Sequence, residues 1–138
     1  MAIFASDGRP LPQPTPTTQP FFDAAKKRKL RLQRCPRDGF FYYPRSRCPK
    51  CLGDDWTWQD TNGLGEIYSY TVDRIAHDPA FRAFAPFAVA LVELDCGPRM
   101  TARIADCEVS DLRVGLPVEA HYEDVDDITL VSFRPRTA

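Results

Sequence analysis

The sequence predicts a mainly β chain in three parts: an N-terminal helix, a small metal-closed ribbon, and a five-stranded barrel of the oligonucleotide/oligosaccharide-binding (OB) type. Two observations carry this prediction. Cysteine and aspartate recur at ligand spacing in Cys35-Pro-Arg-Asp38-Gly39 and Cys48-Pro-Lys-Cys51. From residue 63 onward, five short runs rich in β-branched and aromatic residues alternate with turn signals. Five strands in roughly 70 residues, with one long first loop, suit a small Greek-key barrel; an SH3-like barrel is the alternative.

Residues 1–19 form a proline-rich lead in which Pro10, Pro12, Pro14 and Pro16 are separated by Leu11, Gln13 and Thr15. Nothing in it builds a packed core, so a flexible, extended tail is expected. Residues 20–60 are assigned to the helix and ribbon, and residues 61–138 to the barrel. The helix begins near Thr18 with Pro20 in its first turn, where proline's fixed φ is tolerated. Phe21, Phe22 and Ala25 give it an apolar stripe, and Lys26, Lys27, Arg28 and Lys29 follow at the end favoured by positive charge. Leu30 and Leu32 alternate with Arg31 and Gln33, a period-two pattern that runs as a strand into Cys35. The ribbon continues with Phe41 and Tyr43 on a middle strand and Trp56 and Trp58 on a last one.

The barrel strands are expected at residues 65–72, 87–94, 99–104, 118–122 and 128–133. Between the first two, residues 73–86 make a loop carrying His77, Phe81 and Phe84. Asp95-Cys96-Gly97-Pro98 and Asp124 to Asp127 are turns, since Asp, Gly and Pro are turn formers.

Composition limits the function. At 138 residues the chain holds one ordinary domain or two small modules in series. A net charge of −1 argues against a surface that is wholly a nucleic-acid footprint. No apolar run approaches the roughly 18–20 residues of a membrane span, and the N-terminus lacks a basic segment followed by an apolar one, so a cytoplasmic protein is expected. Five cysteines is an odd count, and three of them cluster at ligand spacing, which fits a reducing compartment better than a disulfide scaffold.

The metal-ligating candidates are Cys35, Asp38, Cys48 and Cys51. Zinc accepts thiolate, imidazole and carboxylate donors in a tetrahedron, and these four leave no open position for catalysis. Gly39 follows the second ligand, where a knuckle needs positive φ. Cys96 and Cys107 have no histidine nearby in sequence and read as small buried apolar groups. His77 and His121 are the only histidines, and no Gly-rich phosphate loop, G-x-S-x-G or paired-carboxylate signature is present. The basic stretch from Lys26 to Arg34, with Arg45, Arg47 and Lys50, is the largest charge feature.

Several stretches taken together resemble the DUF35 family of zinc-ribbon and OB-fold proteins. They are Leu32-Gln-Arg-Cys35, Tyr43-Pro-Arg before Cys48-Pro-Lys-Cys51, Gly65-Glu-Ile67-Tyr-Ser-Tyr70, Pro86-Phe87 through Leu94, Asp111 through Val118, and Ser132-Phe-Arg-Pro135. The similarity covers about residues 20–138. It departs from the family at Asp38, where a cysteine is usual. The resemblance implies a non-catalytic partner of a thiolase-type enzyme that makes or breaks C–C bonds in acyl-CoAs, with structural zinc and with acyl-CoA at the interface. On that reading Phe21, Phe22, Phe81, Phe84 and Phe87 are partner anchors, since aromatics bury large area at low entropy cost. Lys26, Lys27, Arg28, Arg45 and Arg47 are candidates for the phosphates of coenzyme A. The alternative is a single-stranded nucleic-acid binder stacking bases on Tyr68 and Tyr70. The acidic run from Glu119 through Asp127 counts against it.

Overall fold

Turn chemistry and hydrophobic alternation place the elements where the sequence puts them. A computed structural model describes residues 4–137. Helix α1 spans Gln19–Lys26, with Thr18 at its N-cap and proline in its first turn. A three-stranded antiparallel sheet follows from β1 (Arg31–Cys35), β2 (Gly39–Phe41) and β3 (Thr57–Asp60), in the order β2-β1-β3. The five barrel strands are β4 (Leu64–Asp73), β5 (Phe87–Leu94), β6 (Arg99–Ile104), β7 (Pro117–Val125) and β8 (Ile128–Pro135).

The barrel closes in the order β4-β5-β6-β8-β7, with β7 returning to β4. All pairings are antiparallel except β6 with β8, which meet in parallel at Ile104 and Phe133. Strict alternation on β5 turns Ala88, Ala90, Val92 and Leu94 inward, and these meet Ile67, Met100, Ile104, Val118 and Phe133 in one core. Closure leaves no free strand edge in the barrel.

Helix α1 packs on β8 and β1. Phe21 and Phe22 are 4% and 6% exposed and join the barrel core together with Leu30 and Leu32. The ribbon and barrel therefore share one continuous apolar interior. The ribbon has a second, much smaller cluster of its own: Cys35, Phe41 and Cys48, with Trp56 packed against it.

Of the lead at residues 1–19, residues 1–3 lie outside the described residues. The arm lies against the barrel. Arg9 is buried and ion-pairs with Asp7 at 2.9 Å and with Glu123 of β7 at 3.3 Å. Ser6 donates from its N–H and hydroxyl to the Asp126 carboxylate, both at 2.9 Å. The middle ribbon strand also ends earlier than expected: Tyr43 stands outside β2 and is exposed.

Candidate functional site

The ribbon folds its two knuckles toward each other. β1 ends on Cys35, and the turn to β2 carries Asp38 and then Gly39 at φ 81°, in the left-handed region glycine reaches freely. The second knuckle is closed by backbone bonds from Leu52 N–H to Cys48 C=O (2.9 Å) and from Cys48 N–H to Gly53 C=O (3.0 Å). The result brings one donor atom from each of Cys35, Asp38, Cys48 and Cys51 within 4.8 Å of one another. These are the four residues expected from spacing.

The edges of this cluster test whether zinc fits. Cys35 Sγ lies 3.7 Å from Cys51 Sγ, and Asp38 Oδ2 lies 3.6 Å from Cys35 Sγ and 3.4 Å from Cys48 Sγ. Zinc–sulfur bonds of about 2.3 Å and a zinc–oxygen bond of about 2.0 Å at tetrahedral angles put sulfurs about 3.8 Å apart, and sulfur and oxygen about 3.5 Å apart. These three edges have those dimensions and all four donors lie within 4.8 Å, so the carboxylate of Asp38 reaches the corner that a thiolate occupies in a four-cysteine ribbon.

Arg37, inside the first knuckle, was not singled out from the sequence. Its guanidinium donates to Cys51 Sγ at 3.4 Å and pairs with Asp55 at 3.2 Å. The Gly53 N–H also donates to Cys51 Sγ, at 3.4 Å. The Arg37 hydrogen bond is the main cause that holds the Cys51 thiol below its ordinary range. That favours the thiolate, the form a metal binds. The available signal was position alone: a cation two residues from one ligand and one from the next.

The remaining expected site residues are dispersed. Phe81, Phe84 and Phe87 do cluster, with ring centroids 6.1–6.4 Å apart, on a 3-10 helix (Pro79–Phe84) and the start of β5. Each is half-buried, and Ile75 of the same loop is exposed. Phe21 and Phe22 are not part of that surface. They belong to the core, 4% and 6% exposed, and what remains open of them borders a groove beside α1. The basic residues form no single patch. Arg28 holds Asp124 with two hydrogen bonds (3.0 and 2.7 Å), and Lys26 borders depressions lined by Asp124, Asp126 and Asp127. Carboxylates thus face that end of the helix. Arg45 donates to the Tyr43 carbonyl and Arg47 to the Leu52 carbonyl, each through one nitrogen.

Other candidate chemistry is absent among the described residues. Neither histidine side chain hydrogen-bonds to a nucleophile or carboxylate, and His77 is exposed. Cys96 and Cys107 are unpaired thiols, both pushed up by burial. Tyr68 carries the Arg99 guanidinium on its ring at 3.6 Å, and the Tyr70 hydroxyl donates to the Leu112 carbonyl; both rings are exposed. No helix among the described residues is long and apolar enough to cross a membrane.

Comparison with known proteins agrees with this architecture. Residues 22–57 match the ChsH2 rubredoxin-like zinc ribbon domain, and residues 58–123 match the ChsH2 C-terminal OB-fold domain. The chain is 37% identical over 100 residues to a DUF35 domain-containing scaffold protein of Methanocaldococcus jannaschii, covering 68% of this chain and 70% of that protein. It is 36% identical over 130 residues to a probable enoyl-CoA hydratase alpha subunit of Thermomonospora curvata. That match covers 92% of this chain but only 40% of the relative's length. A solved chain of the Ltp2-ChsH2(DUF35) aldolase superposes with a TM-score of 0.77 at 34% identity, over 90% of this chain and 98% of that one.

Proposed function

The chain belongs to the DUF35 family of zinc-ribbon and OB-fold proteins, and from that premise we propose that it is a non-catalytic accessory subunit of a thiolase-like acyl-CoA enzyme. The observation that carries this reading is the near-complete match to a chain of the Ltp2-ChsH2(DUF35) aldolase. Phe81, Phe84 and Phe87, with exposed Ile75, are the anchors toward that partner. Lys27, Arg45 and Arg47 are the cations left to meet coenzyme A phosphates at the interface.

Cys35, Asp38, Cys48 and Cys51 would hold structural zinc. The ion would supply a cross-link between the two knuckles, which the small Cys35–Phe41–Cys48 cluster is too small to replace. Three thiolates and a carboxylate around a dication leave excess negative charge, and Arg37 is placed to offset it.

Co-expression with a thiolase-fold protein encoded beside it tests the partnership. The two should co-elute, and Phe81→Asp should abolish co-elution while the chain stays folded. A thiolase-fold protein that never co-elutes and is fully active alone would overturn the proposal.

A further inference from the structure

A groove of about 340 Å³ runs between the N-terminal arm, α1, the segment after β2, and the barrel face of β6, β7 and β8. Its size is that of a small-molecule site. The walls are apolar: Tyr42, Tyr43, Met100, Leu130 and Val131 line it, with Phe81 at one side. Its charged residues are Arg9, Arg103 and Glu123, beside the hydroxyl residues Thr101 and Ser132.

These three groups differ in how far they are committed. Arg9 is fully engaged: Nε donates to Asp7 at 2.9 Å, and both terminal nitrogens donate to Glu123 at 3.4 and 3.3 Å. Arg103 is not. Its one carboxylate neighbour is the same Glu123, at 3.6 Å, beyond hydrogen-bond distance, and its side chain is 30% exposed. Among the described residues its guanidinium makes no hydrogen bond. Its guanidinium lies over the Phe84 ring, 4.9 Å from the centroid, the same distance as that of Arg9. Two guanidiniums therefore share the one carboxylate of Glu123, and Arg103, ion-paired with it at 3.6 Å and set over Phe84, keeps donors that no hydrogen bond uses.

We propose that this groove binds a small amphipathic carboxylate, its apolar body along Tyr42, Tyr43, Met100, Leu130 and Val131, and its anionic end on Arg103. A guanidinium with free donors takes a carboxylate in a forked pair, and the partly dry wall strengthens that bond. The inference is read on the full chain without a partner, although Phe81 borders both the groove and the partner-facing cluster.

The test is a fluorescence titration of the full chain with anilinonaphthalene sulfonate, followed by displacement with decanoate or decanol. The dye should bind saturably, and decanoate should displace it about tenfold better than decanol, as expected for one charge-assisted hydrogen bond. Arg103→Gln should bring decanoate down to the level of decanol without altering decanol. Val131→Trp, which fills the groove, should remove dye binding. Should Val131→Trp fail to fold by circular dichroism, Arg103→Gln decides alone. Non-saturable dye uptake, equal displacement by the two competitors, or discrimination that survives Arg103→Gln would overturn the proposal. Co-elution with a partner is a separate measurement, so either idea can fail without the other.

Discussion

Gln33 offers the sharpest test of how the ribbon is held. It lies on β1, fully buried, among residues that form a polar–apolar alternation in sequence. Its amide donates from Nε2 to the Arg45 carbonyl at 2.7 Å and accepts the Arg45 N–H at Oε1 at 2.8 Å. One side chain thus takes the place of a strand partner for the segment leading to the second knuckle. Gln33→Met keeps the volume but leaves both Arg45 backbone groups without partners. Each lost bond costs about 1 kcal/mol net, rising toward about 3 where the orphaned group stays dry, so we expect about 2–4 kcal/mol in all. At this chain length that is a fall in Tm of roughly 10 °C. Both tryptophans of the chain, Trp56 and Trp58, lie in the ribbon, so their fluorescence in a urea titration reports on this module. Gln59→Met on exposed β3 is the control, expected within about 0.5 kcal/mol of the native chain. If the Gln33 variant behaves like that control, the reasoning about the Arg45 contacts is wrong.

Other outcomes follow from the same structure. Metal analysis of the purified protein should find one zinc per chain, retained in Asp38→Cys and lost in Cys48→Ala; a native protein without zinc would contradict the fit of the cluster. Asp124 is held well below the ordinary carboxylate range by hydrogen bonds from Arg28 and then Thr129. A depressed folded pKa stabilises above the unfolded value of about 4 and loses that contribution as pH falls toward the folded value. Asp124→Asn should therefore flatten the decline of Tm between neutral pH and pH of about 3, and an unchanged slope would refute the pairing. A Cβ on Gly65 would stand 2.6 Å from the Glu93 carbonyl oxygen of β5, so Gly65→Ala should lower stability by about 1–3 kcal/mol, read by circular dichroism melts.

The elements most legible in sequence are those whose signal is local. β5 runs Phe87–Leu94 as expected because an apolar run bounded by Pro86 and by the Asp95–Pro98 turn states its extent, whereas its buried face, Ala88 to Leu94, was decided by the barrel. The four metal-site residues were legible for a related reason: two short turns of matched spacing can close only a few ways around one ion. What was missed depends on partners remote in sequence. Arg9 looked like part of a solvated proline-rich lead, and only Glu123, 114 residues away, makes it a buried anchor. Phe21 and Phe22 looked like docking residues, yet the side of α1 that carries them is closed against β8. Gln33 gave no sign that a loop would need its amide.

By itself, the amino-acid order determined the three-part plan, the strand positions, the metal-site residues and the absence of a catalytic motif, since all of these rest on periodicity and spacing within a few residues. The tertiary structure alone decided which aromatics face inward, that the arm is strapped to the barrel, and that Arg103 stands over an apolar groove with unused donors. The physical reason is that burial and charge pairing are properties of neighbours in space, and a closed barrel brings together side chains that no local pattern relates.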